Sequence, residues 1–178
     1  MDQKKTMLLD WMRKIHQLEY AHCFQSLYYS KLEKRIGISA FVLSTLVAFS
    51  YRFPAVENIC FNTYFFFLKK EYLLPFILLV VALLTGLQTF LKPNEKAENH
   101  RKIGLEYEKI RHNIEIVLTK EQTETEIDLR IKEVKKKWDV LNTVYVDDKY
   151  FAQGKEKVKS FKKYPKELSF LPDIEEKK

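Results

Sequence analysis

Two uninterrupted apolar stretches constrain this chain more than anything else in it. The first is Ile36–Phe53, IGISAFVLSTLVAFSYRF, whose one charge, Arg52, lies next to its end. The second is Leu73–Leu91, LLPFILLVVALLTGLQTFL, which carries no charge at all. Eighteen residues of α-helix rise about 27 Å, close to the ~30 Å hydrocarbon thickness of a bilayer. Arg52 can reach the interface with its long side chain, Pro54 ends the first helix, and Pro75 falls in the first turn of the second, where a missing N–H costs little. The competing reading is a pair of buried core helices, but a domain of 178 residues would struggle to cover two helices that are apolar all round. The expectation is therefore an all-α membrane protein, with two transmembrane helices continuous with a cytoplasmic helical bundle.

The remaining sequence agrees with a helical body. Gly occurs four times and Pro five times, too few for a turn-rich β fold. The mean hydropathy of −0.32 hides a segregation of apolar residues into the two blocks and charges outside them. The expected organisation is an N-terminal cytoplasmic helix over 1–35, spans over 36–53 and 73–91, an external loop over 54–72, cytoplasmic helices over 92–145 and a basic aromatic tail over 146–178. Residues 1–35 mix seven basic residues into periodic apolar ones, which is not a signal peptide. Flanking charge sets the orientation. Lys31, Lys34, Arg35, Lys92, Lys96, Arg101 and Lys102 lie on one side, against Arg52, Lys69 and Lys70 on the other. This bias predicts both termini in the cytoplasm. The connection then lies outside, with Tyr64, Phe65, Phe66 and Phe67 suited to the membrane interface.

Heptad-like seams fill the charged regions. Leu8, Trp11, Ile15, Leu18, His22, Gln25, Tyr29, Leu32 and Ile36 alternate steps of three and four, predicting one helix from about residue 5 to about 53. Ile103, Tyr107, Ile110, Ile114 and Val117 form a second seam. After a break at 119–125, Ile127, Ile131, Val134, Trp138, Leu141 and Tyr145 form a third. Matching seams predict a bundle. His22, Gln25 and His100 are polar positions of these seams, of the kind that fix register or oligomeric state; His22 is also a candidate pH switch.

Candidate functional positions fall into two further groups. Ala40, Ser44 and Ala48 recur every fourth residue, a small-residue face for close helix packing, while Thr85, Gln88 and Thr89 cluster near one end of the second span. These residues pack helices together or line a pore, with Ser44 and Gln88 the candidates for the latter. Two helices cannot enclose a water path, so a pore requires a homo-oligomer. In the tail, Lys155, Lys157, Lys159, Phe161, Lys162, Lys163 and Tyr164 pair basic with aromatic side chains, as contacts to anionic lipid headgroups or a nucleotide do; lysines simply held in water are the plainer reading. Gly154, Pro165 and Pro172 are expected to break any long helix there. No Gly-rich phosphate loop, H-E-x-x-H or G-x-S-x-G occurs and Cys23 and Cys60 are isolated, so neither enzyme activity, a metal, a disulfide nor a cofactor is expected. No DNA binding is expected either.

The pattern resembles the SLATT family of two-transmembrane effectors in bacterial conflict systems. The residues that carry the resemblance are Trp11–Ile15, Glu19–His22, Lys34–Ile38, Leu43–Thr45, Thr85–Pro93 running into Ala97–Arg101, then Gly104, Tyr107 and Ile114–Glu115, with the ordered set from Gly86 to Tyr107 the most specific part. Coverage is about residues 8–145. The resemblance implies function by membrane damage: an inner-membrane effector that opens a pore or disrupts the bilayer when an antiphage system is triggered, causing growth arrest or death. It also implies a cyclic nucleotide signal or a partner nucleotidyltransferase. A non-conducting anchor that recruits a partner enzyme is the alternative, and a lipid-binding regulator acting through the tail a third.

Overall fold

A computed structural model describes residues 3–52, 70–120, 123–141, 144–161 and 164. Among these the chain is entirely helical, with no strand. The helices are α1 (Gln3–Arg52), α2 (Lys70–Leu91), α3 (Pro93–Thr119), α4 (Glu124–Val140) and α5 (Asp148–Ser160).

Local sequence explains these boundaries. α1 runs 50 residues without interruption, about 75 Å, because Gly37 is its first helix-weakening residue and no Pro interrupts it. α2 begins at Lys70, so the end of the expected external loop is already helical. The remainder of that loop, with Tyr64–Phe67, lies outside the described residues. Between α2 and α3, Lys92 adopts a left-handed φ of 45°, and Pro93 opens the next helix with the fixed φ that suits a first helical position. α4 starts with a polar contact in its first turn: Glu126 Oε2 accepts the Thr123 N–H at 3.0 Å and the Thr123 hydroxyl at 2.9 Å. That pairing holds the Glu126 carboxyl below its usual range.

The chain divides into two compact units, Met1–Tyr28 with Ala97–Lys178, and Tyr29–Lys96. The first is a four-helix unit whose core joins all the predicted seams. Leu8, Met12 and Ile15 of α1 pack with Ile103, Tyr107, Ile110, Ile114 and Val117 of α3 and Val134 of α4. Ile131, Trp138 and Leu141 cover that core, and Trp11 meets Trp138 edge-on at 5.9 Å between ring centroids. Tyr145, the last residue of the third seam, is exposed.

α5 was not expected. Gly154 does not break this helix but lies inside it, where the α5 backbone comes close against α1. A Cβ there would stand 2.5 Å from the Gln17 carbonyl oxygen and 2.9 Å from the Ala21 nitrogen. Tyr150, Gly154 and Val158, spaced by four, form the buried face of α5.

The second unit contains the later part of α1 and all of α2. Its large apolar side chains point outward: Ile38, Phe41, Val42, Leu46 and Phe49 on α1, and Phe76, Leu79, Leu83 and Phe90 on α2. The helical run Leu74–Thr119 contains an 18-residue window with mean hydropathy 2.2, none of it buried, long and apolar enough to cross a membrane.

Candidate functional site

Polar constellations lie in both units, and the most buried is in the four-helix unit. In the four-helix unit, the seam positions His22 and His100 meet across the α1–α3 interface, 1% and 3% exposed. Their Nδ1 atoms lie 3.0 Å apart. In the neutral pair one ring donates and the other accepts, so the two are opposite tautomers. The His22 ring packs on Tyr107, 5.6 Å between centroids. Gly104 faces the pair, and a Cβ there would make ordinary contact, 3.6 Å, with His22 Cβ and the Glu19 carbonyl oxygen. Burial, and then the neighbouring His100, push the His22 pKa down to about 4. Burial lowers His100 as well, with Asp147 opposing. The third polar seam residue, Gln25, is also buried, and its Oε1 accepts the backbone N–H of Asp147 at 3.1 Å. Gln25 thus ties the start of α5 to α1, while the Ser26 hydroxyl donates to the Ala97 carbonyl at 2.8 Å.

A second polar layer in this unit escaped sequence reasoning. Arg111 donates to Glu19 at 2.8 Å and to Glu115 at 3.0 Å, with side chains only 12%, 18% and 27% exposed. Beside it, the Tyr164 hydroxyl pairs with His16 Nδ1 at 3.0 Å, and the Phe161 ring stacks on His16 at 5.6 Å. Burial raises the Tyr164 phenol to about 12, with Glu115 and Glu19 pushing the same way against Arg111. Phe161 and Tyr164, read from sequence as lipid or nucleotide contacts, therefore pack on α1. Of the tail lysines, Lys157 lies over the Phe161 ring at 5.3 Å and Lys159 is exposed. Lys155 is half-buried, whereas Lys162 and Lys163 lie outside the described residues.

In the other unit, the predicted small-residue face is not packed along its length within one chain: Ala40 is buried, Ser44 and Ala48 are exposed. The Ser44 hydroxyl donates to the Ala40 carbonyl of its own helix at 2.7 Å. Thr85 and Thr89 do the same to Val81 and Thr85 at 3.0 Å. Gln88 behaves differently. Its Nε2 reaches from α2 to α1 and donates to Glu33 Oε1, passing Gly37, where a Cβ would stand 3.8 Å from that nitrogen. The other carboxylate oxygen, Glu33 Oε2, is buried without a hydrogen-bond partner. Glu33 precedes the apolar block by three residues and sits off the seam, so periodicity gave no reason to select it; a glutamate at the edge of an apolar span was the available signal.

Among the described residues no group of three or more His, Cys, Asp and Glu side chains gathers to hold a metal ion. An open groove of about 1160 Å³ between α3 and α4 is lined by both signs of charge, including Glu106, Lys109, Glu133 and Lys136. No family model, curated protein or solved structure matches the chain.

Proposed function

We propose that this chain is a membrane effector of a bacterial antiphage defence system. It resides in the inner membrane with both termini in the cytoplasm, crosses the bilayer with the later part of α1 and with α2, and self-associates. The observation that carries this reading is the continuity of α1: one 50-residue helix supplies a wall of the water-facing core at Leu8–Ile15 and an outward apolar surface at Ile38–Phe49. A trigger acting on the four-helix unit repacks its seams. That repacking reaches the spans along α1, and an ion path opens between several copies. Packed helices switch between discrete arrangements, and a ligand drives such a switch only by favouring one of them. The resemblance to SLATT proteins supports a cyclic nucleotide, or a nucleotidyltransferase system, as the source of the trigger.

Low-level expression in cells loaded with a voltage-sensitive dye tests the proposal. Depolarisation and growth arrest are the expected outcome, abolished when Gln88→Leu and Ser44→Leu are combined. An unchanged potential at verified expression, with and without phage infection, sinks it.

One observation favours a non-conducting anchor. The hydroxyls of Ser44, Thr85 and Thr89 are bonded back to their own helices, as in spans that only face lipid. An anchor would leave the potential intact and co-purify with a partner enzyme through the four-helix unit.

A further inference from the structure

Glu33 is an acidic side chain bonded to a neutral amide where a basic partner would ordinarily be found. The positions three and four residues away on α1 hold Tyr29, Ser30, Ile36 and Gly37, so its own helix offers it no cation. Lys34 and Arg35 are exposed and point about 100° and 200° away around the helix. Across from it, Lys92 pairs with Glu95 at 3.1 Å and Lys96 lies over the Tyr29 ring at 5.7 Å. Glu33 instead accepts from Gln88, and its Oε2 is buried with no donor among the described residues. A carboxylate oxygen removed from water and left unmatched is costly, and a cation brought to it would offset that cost.

We propose that Glu33, positioned by Gln88, is the carboxylate that determines ion preference in the conduction path, so that the path passes cations over anions. The inference rests on the pore reading above and adds the class of ion carried. Rings of carboxylates, one from each copy, are how oligomeric channels favour cations. Gln88 acts as a positioning residue: its amide holds the carboxylate against the span without neutralising it, which a lysine would not do.

The test is the reversal potential of the full-length protein, reconstituted in planar bilayers under a potassium chloride gradient. The wild type should reverse near the potassium equilibrium potential. Glu33→Gln keeps an oxygen to accept from Gln88 but removes the charge, and should bring the cation-to-anion permeability ratio to about unity. Glu33→Lys should carry the reversal potential past zero to the anion side, and Glu33→Asp should retain cation preference. A conducting Glu33→Gln with the wild-type reversal potential overturns the inference and leaves the pore reading standing. An anion-preferring wild type does the same without any variant, so the test does not depend on the substituted chains folding. Wild-type protein that passes no current at any voltage or dose overturns both.

Discussion

His22 of α1 and His100 of α3 meet through an Nδ1–Nδ1 contact of 3.0 Å, both side chains buried. Charging both rings would set donor against donor and place two cations side by side in a core. The pair therefore binds protons less readily than free imidazole, as the depressed His22 value of about 4 reflects.

The consequence for stability has a definite sign. The unfolded chain has the higher histidine affinity for protons, so acid favours unfolding. Stability should be intact above about pH 6.5 and lost progressively as pH falls toward about 4, by up to about 3 kcal/mol. Thermal unfolding of the detergent-solubilised chain, followed by circular dichroism across this range, measures it. His22→Leu with His100→Leu should flatten the profile, whereas His22→Leu alone removes the His22 ring nitrogen that buried His100 bonds to and should cost about 1–3 kcal/mol near neutral pH.

Gly154→Ala opposes two effects of known direction. Helix propensity favours alanine by about 1 kcal/mol. The added methyl, however, would lie 2.5 Å from the Gln17 carbonyl oxygen and 2.9 Å from the Ala21 nitrogen, both backbone atoms that cannot turn aside. Steric conflict should win, with a net loss of about 1–3 kcal/mol and faster proteolysis within α5. A melting temperature at or above that of the wild type would count against this close approach.

Arg111→Met should cost about 3 kcal/mol, because it leaves Glu19 as a largely buried carboxylate without its cation and takes from Glu115 the guanidinium, leaving it the exposed His112 contact. Adding Glu19→Gln should recover much of that loss, and a double-mutant cycle on the two positions reads their coupling directly. Additive losses would mean that the ion pair contributes nothing.

Lys92→Gly should stabilise the chain. Lys92 holds a φ of 45°, a conformation that costs a side-chain-bearing residue about 1–2 kcal/mol and glycine almost nothing. The exposed contact to Glu95 that would be lost is worth at most about 1 kcal/mol. A small rise in the unfolding midpoint in detergent is expected; a fall would show that this ion pair outweighs the strain.

How far these features could be read from sequence depended on their period. The α1, α3 and α4 seams were visible because three-and-four spacing records burial directly, and Ile103, Tyr107, Ile110, Ile114 and Val117 are all buried as that spacing requires. The second buried face of α1 was harder to see. It includes Asp10, His16, Gln17 and Ala21, mostly polar types that hydropathy assigns to water; Asp10 is buried because Arg13 and Lys14 each contact it at 2.7 Å. α5 escaped because its contact with α1 is made by a glycine, which in sequence reads as a helix breaker. Among the candidate site residues, Gln88 is selected from sequence, with Ser44, as a pore-lining candidate, but its partner Glu33 is not. The pairing joins positions 55 apart, and no periodicity relates residues across two separate helices.

The order in which the four-helix unit comes together along the chain has an outcome for biosynthesis and for engineering. Its first wall ends at Tyr28 and its next begins at Ala97, so α1 leaves the ribosome with its oily face bare and waits for the segment that seals it. Ser26 touches Ala97, 71 positions later, at 2.8 Å. Those two points are close enough for a short glycine-serine bridge in place of residues 29–96, which should release the unit as a freely dissolved protein suited to ligand titration without detergent.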